Sequence, residues 1–187
     1  MTDEEELDLI EQAKTNPEAF GTLYERYVDR IYSYIYYRVG SNTEAEDLTA
    51  RVFHRVLKAL PRYTDRGAPF VSWLYRIAHN LVANHHRDQS RRPATPIDEL
   101  PLTSPTRDLP DQVVERQDEE RWLWKVINDL HEDRRELLVL KFNEGLSNAQ
   151  IGEIMGRTEG AIKSLYHRTL VTLREELERR GIKRSSH

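Results

Sequence analysis

Lys163, Ser164, His167 and Arg168 are hydrogen-bond donors at one-, three- and four-residue steps. The apolar residues among them, Ile162, Leu165, Leu170 and Leu173, recur at helical spacing. With Ile162 and Leu165 turned inward, the donors face outward on the early turns of a helix. A helix that reads base edges in the DNA major groove needs that arrangement. Between residues 157 and 174 the bases Arg157, Lys163, Arg168 and Arg174 face Glu159 alone. The segment before it fits as well: Ser147 caps a short apolar stretch (Ile151, Ile154, Met155), Gly156 turns the chain, and Thr158 caps the longer helix. Short helix, glycine turn and longer helix form the helix-turn-helix pattern. A plain solvated helix face is the competing reading, and the basic charge together with caps and turn in register weigh against it.

A second constellation lies at 62–92. Arg62, Arg66, Arg76, Arg87, Arg91 and Arg92 outnumber Asp65 and Asp88, and the aromatics Tyr63, Phe70, Trp73 and Tyr75 are interleaved with Asn80, Asn84, His85 and His86. Flat rings stack on unpaired bases, arginines meet the backbone, and amides read base edges. Phe70 and Tyr75 serve equally well as core residues, and Trp73 as a cap on that core.

Other chemistries are excluded or left without support. There are no cysteines, so disulfides, thiolate zinc sites and a cysteine nucleophile are out, and a reducing compartment suits the chain. His79, His85 and His86 lack a metal-binding spacing and an accompanying carboxylate motif, so no metal is expected. No phosphate-binding glycine loop or nucleophile elbow is present; neither a catalytic residue nor a cofactor is expected. The net charge of −4 excludes a polycation that coats DNA or anionic lipid indiscriminately. No apolar run approaches the ~20 residues that span a bilayer, and the acidic start, Thr2 to Glu6, is unlike a signal peptide. The chain reads as soluble and cytoplasmic.

The elements that must position these residues are all helical. Phe20, Leu23, Tyr24, Tyr27, Ile31, Tyr34 and Ile35 make one stripe, ended by Gly40. Thr43 and Glu46 read as a capping box for the next stripe, Ala45, Leu48, Val52, Val56 and Leu60, which Pro61 stops. Pro69 opens a third helix carrying Phe70, Leu74, Ile77, Ala78 and Leu81. Further on, Trp122, Val126, Ile127 and Leu130, then Leu137, Leu138, Leu140 and Phe142, give two more stripes. Five of the eight prolines fall between Pro93 and Pro110, in an acidic stretch without a long apolar run. The expected plan is all-α: an acidic N-terminal segment (1–14), a first helical domain (15–92), a flexible Pro-rich linker (93–116), a helix-turn-helix domain (117–182) and a tail (183–187).

At this point the sequence resembles the sigma factors of bacterial RNA polymerase, within them the extracytoplasmic-function (ECF) group. The resemblance rests on Ala45-Glu46-Asp47-Leu48-Thr49 with Val52-Phe53, on Trp73-Leu74-Tyr75-Arg76-Ile77-Ala78-His79-Asn80, and on Glu144-Gly145-Leu146-Ser147 leading to Gly160-Ala161-Ile162-Lys163-Ser164 and His167-Arg168. It implies that Glu46, Asp47, Val52 and Phe53 bind the polymerase core at a coiled coil of its largest subunit, with the flap as a further contact. It implies that Arg66, Trp73, Arg76, Asn80, Asn84 and Arg87 open and read a start-proximal promoter element. Arg157, Lys163, Ser164, His167 and Arg168 would then read a farther element as duplex. Group members commonly have an anti-sigma partner, and the free chain is expected to be a monomer without membrane insertion. Where the family usually carries Gln-Glu this chain has Ala50-Arg51, which bears on the polar contacts to the coiled coil. The alternatives are a stand-alone helix-turn-helix regulator, which would need a dimer to bind paired half-sites, and a helical adaptor without salt-sensitive DNA binding.

Overall fold

The computed structural model describes residues 3–65, 67–90, 127 and 129–179. Among them there are seven α-helices and no strand, as the hydrophobic periods require. The first, α1 (Asp3–Ala13), lies within the acidic segment read at 1–14, for which the sequence announced no helix. Glu4, Glu5, Asp8 and Glu11 are exposed, while Ile10 and Ala13 are buried and the part-buried Glu6 accepts a hydrogen bond from the Tyr27 hydroxyl. Two buried apolar residues and one half-buried acid were too thin a pattern to announce a docked helix.

Helix α2 (Pro17–Val39) begins where the Asn16 side chain accepts from the Glu18 N–H at 2.9 Å, and ends at Gly40 in the left-handed region, φ 72°. Helix α3 (Asn42–Ala59) is capped by Ser41, whose hydroxyl accepts from the Glu44 N–H. The expected box from Thr43 to Glu46 does not form. Ser41 offers the same hydroxyl-to-glutamate spacing two residues earlier and lies on extended backbone, φ −129° and ψ 126°, as a cap requires. Pro61 sits in a 3-10 turn (Leu60–Arg62) after α3, and Pro69 immediately precedes α4 (Phe70–Ser90). The core between α2, α3 and α4 is rich in tyrosine: Tyr27, Tyr34 and Tyr75 are fully buried beside Ile31, Ile35, Leu48, Leu74 and Leu81. Tyr34 and Tyr75 meet edge to face at 5.0 Å, a geometry favoured by the ring quadrupole.

The second unit comprises α5 (Glu132–Leu138), which runs on as a π-helical turn (Val139–Asn143), then α6 (Asn148–Met155) and α7 (Glu159–Arg179). Its core is aliphatic, formed by Leu137, Leu140, Leu146, Ile151, Ile154, Ile162 and Leu165. Of the stripe expected at 122–130, Leu130 is buried, whereas Trp122 and Val126 lie outside the described residues, as do the linker 93–116 and the tail.

The two units do not stand apart. Their buried side chains join in one continuous cluster, with α6 packed on α4 and α5 against α2. Proline content marks where a chain is extended; it carries no information about whether the surfaces at its two ends fit each other.

Candidate nucleic-acid interface

Helix α4 has two faces. Phe70, Leu74, Ala78 and Leu81 point into the core, while Arg76, Asn80, Asn84 and Arg87 are exposed along one outer stripe. Trp73 stands at the head of that stripe, half-buried against Tyr63 (4.9 Å between centroids) and Phe70 (5.4 Å). These rings make a rigid aromatic wall. Beside it opens a cleft of about 500 Å³ lined by Arg62, Tyr63, Trp73 and Arg76 and, from the second unit, Glu153. A half-buried indole, two guanidinium groups and nearby amides suit an unpaired base and its phosphate. Arg66 lies outside the described residues.

The three histidines of this segment do not join the stripe. His79 Nδ1 lies 2.7 Å from a Glu136 carboxylate oxygen, His85 Nε2 lies 3.4 Å from Glu44, and His86 Nε2 lies 3.6 Å from Glu132. Burial lowers the basicity of His86. All three face neighbouring helices, a role that sequence alone does not separate from base contact.

On α7 the expected orientation is observed. Ile162 and Leu165 are buried, and Lys163, Ser164, His167 and Arg168 are exposed. The Thr158 hydroxyl accepts from the Ala161 N–H at 3.2 Å and so caps the start of the helix. Three of the donors are occupied locally: Lys163 by Glu159 at 2.8 Å, the Ser164 hydroxyl by the Gly160 carbonyl at 3.0 Å, and Arg168 Nε by the Ser164 carbonyl at 3.3 Å. Such exposed contacts are weak and exchange readily for a base edge or phosphate. Arg157 is paired to Asp133 of its own unit and is therefore placed at the flank of the reading strip.

The turn that sets α7 is fixed by backbone. Ser147 and Gln150 form a full capping box at the start of α6, and Gly156 ends that helix at φ 65°. Gly152 faces the turn so closely that a Cβ there would lie 2.6 Å from the Arg157 carbonyl oxygen.

Helix α3 separates the four residues assigned to polymerase core. Glu46 and Asp47 are exposed, with Asp47 Oδ2 3.5 Å from Arg51. Val52 and Phe53 are buried, at 0% and 6% exposure. Val52 and Phe53, which the resemblance assigns to core binding, therefore do not display their side chains: the Phe53 ring packs edge to face on Tyr24 at 4.7 Å and supports the helix from beneath. The apolar groups on view are Leu57 and Tyr24, exposed by 50% and 40%, which sequence reasoning missed. Leu57 lies eleven residues after Glu46, three helical turns on, and that spacing was the available signal. In the second unit Phe142, Leu170 and Val171 are likewise exposed.

Comparison with known proteins covers both units. The family model described as Sigma-70 region 2 matches residues 23–92, and that described as Sigma-70, region 4 matches residues 120–173. The chain is 37% identical over 168 residues to the ECF RNA polymerase sigma factor BldN of Streptomyces coelicolor, covering 89% of this chain and 64% of that protein. It is 37% identical over 132 residues to the ECF RNA polymerase sigma factor ShbA of Streptomyces griseus, covering 69% of each. Among solved structures, CnrH in complex with the cytosolic domain of CnrY shares the fold, with a TM-score of 0.64 at 22% identity over 91% of this chain and 95% of that one. The chain thus spans just under two thirds of the length of BldN and more than two thirds of ShbA.

Proposed function

The chain belongs to the ECF RNA polymerase sigma factors, and we propose that it acts as one: it binds polymerase core, directs it to specific promoters and helps melt the start-proximal element. One observation carries this reading. A single chain holds two helices with outward nucleic-acid chemistry of different kinds, α4 beside an aromatic cleft and α7 with a strip of donors, and a third helix, α3, that exposes Glu46, Asp47 and Leu57. A stand-alone regulator needs only α7. The chain supplies no reaction chemistry of its own, since bond formation belongs to the core enzyme.

Each surface has a role in this proposal. Glu46 and Asp47 lie in the early turns of α3, where the helix dipole favours acids, and with Leu57 and Tyr24 they form the contact to the largest subunit's coiled coil. Arg51 ties back to Asp47, so the departure at Ala50-Arg51 tempers the acidic edge that a core contact would use. Trp73, Arg76, Asn80, Asn84 and Arg87 handle the melted element; Lys163, Ser164, His167 and Arg168, flanked by Arg157, read the far element as duplex. The free protein is monomeric and works in the cytoplasm; no helix among the described residues is long and apolar enough to cross a membrane. The apolar groups exposed on both units offer a surface to an anti-sigma protein.

The test is transcription from a promoter library with purified core, with and without this chain. Promoter-specific transcripts that require the chain are expected, and their absence overturns the reading. Core binding is checked separately by titration: Asp47→Arg is expected to weaken it with helicity unchanged, and unaltered affinity would remove α3 from the interface.

A further inference from the structure

The first and second units meet through a buried polar cluster that no DNA or polymerase contact explains. Glu136, at the centre of α5, is 1% exposed. Its Oε1 accepts from the Tyr34 hydroxyl, lies 2.7 Å from His79 Nδ1, and lies 3.2 Å from Arg38 Nη1. All three partners belong to the first unit. Arg38 is itself buried, and its other arm reaches Glu132 of α5 at 2.5 Å. Around this centre, Arg135 donates to the Tyr37 carbonyl at 3.0 Å and Arg30 pairs with Glu144. Burial opposes charge on Glu136, yet the His79 hydrogen bond and the Arg38 charge outweigh it and hold the carboxyl below its ordinary range.

The cluster is tight but incomplete. Glu136 Oε2 and Arg38 Nε are buried without a hydrogen-bond partner. A buried ion pair with unsatisfied atoms gives up much of its Coulombic gain to desolvation, whereas both groups recover full hydration if the units part. Such a contact suits a joint that must open.

Closure also has a functional cost. Packed helices lie 8–10 Å apart, so with α6 between them α4 and α7 are held within about 20 Å of each other, whereas one turn of duplex already spans about 34 Å. Closure also brings Glu153 to the cleft beside Trp73 and Arg76, a carboxylate where a nucleic-acid phosphate would have to come. We propose that the free chain is autoinhibited by this latch: Glu136 of the helix-turn-helix unit, seated among Arg38, His79 and Tyr34 of the first unit, holds the molecule closed with the single-strand cleft masked, and the latch must break before both promoter elements are engaged. The masking rests on the assignment of that cleft to unpaired DNA; the closure does not.

The experiment uses the full chain. Because it has no cysteine, dyes placed at Glu18→Cys and Glu175→Cys, both exposed positions, report the separation of the units. High energy transfer is expected in the wild type, and its loss in Glu136→Gln and in Arg38→Met, substitutions on opposite sides of the joint. The double variant opens no further than either single one, because the two residues act through one contact. Circular dichroism identifies a variant that has lost helix rather than opened, and the partner on the other side then supplies the test. Low transfer in the wild type, or high transfer in both folded variants, overturns the latch. Masking is read by anisotropy with a fluorescein-labelled, mixed-sequence single-stranded DNA 12-mer. If the open form is about a tenth of the free population, opening raises affinity about 10-fold. Open variants that bind the 12-mer no better overturn the masking, while core-dependent transcription tests the sigma-factor reading on its own.

Discussion

Helices α4 and α7 have the same length, 21 residues, and are each assigned to one promoter element, but their settings differ. Helix α4 is buried along most of its course, from Phe70 to Val82, and lies between the two units with the aromatic wall at its head. Helix α7 is buried only through its first half: past Thr169 no described residue of it is buried, and Leu170 and Val171 are more than 40% exposed. The contrast matches the ligands proposed for the two helices. An unpaired base arrives without a partner, so the protein must supply a rigid surface that replaces stacking. A duplex brings its own rigidity, and a helix needs only an anchored first half to present donors to a groove.

The sharpest break in this contrast is in stability. Leu74→Ala, in the fully buried face of α4, is expected to cost ~2–5 kcal/mol. Leu170→Ala, on the open half of α7, should stay within about 0.5 kcal/mol of wild type. Urea unfolding measures both, and equal losses would erase the distinction. Next in size is duplex reading. The pair Lys163→Ala and Arg168→Ala is expected to reduce transcription from promoters that depend on the far element by roughly 10-fold, since a bidentate contact discriminates by ~1–3 kcal/mol. A uniform loss across all sequences would make both residues phosphate contacts. Asn80→Ala should act more narrowly, with about a fivefold loss of preference at one base, the worth of one net hydrogen bond. Transcription from every single-base variant of the start-proximal element measures it; unchanged preference removes Asn80 from the reading stripe.

The smallest effect is a titration. Followed by carboxyl carbon NMR, Glu136 is expected to titrate below the ordinary value of 4.5 and to return toward it in Arg38→Met. Since the closed-form value is the lower one, the carboxylate's contribution to closure is intact above 4.5 and fades only as the pH falls through that lower value. Tyr34, which faces it, is held protonated far beyond its usual range by burial and by the Glu136 charge, and so remains a donor at neutral pH. A Glu136 value that does not move on loss of Arg38 would separate the two residues energetically.

The sequence made the helix-turn-helix fully legible, because Ser147, Gly156 and Thr158 act locally and each leaves a signature in the chain. The residues of the outer face of α4, Arg76, Asn80, Asn84 and Arg87, were named through the resemblance, and their three- and four-residue spacing agrees with the one exposed stripe they form. What stayed hidden depends on contacts distant in sequence. The burial of Phe53 required Tyr24 of another helix. The pairing of Arg38 with Glu136 joins residues 98 positions apart, and neither residue type is unusual where it stands. Helix α1 was missed for a related reason: its docking relies on Ile10, Ala13 and a single acid that accepts from Tyr27.

Gly152 has a bearing on how such a protein can diverge. Its place against the Arg157 carbonyl admits no side chain, so the close approach of α6 to the turn before α7 depends on bare main chain at this position. The outward residues of α7 meet no such limit, because Lys163, Ser164, His167 and Arg168 are in solvent. Heritable change is thereby channelled: a duplicated copy can acquire a new target by altering these outward positions while the scaffold beneath them stays as it was, and most substitutions at position 152 would be lost before any new target was tried. One missing methyl group thus separates what a lineage can rewrite from what it must keep.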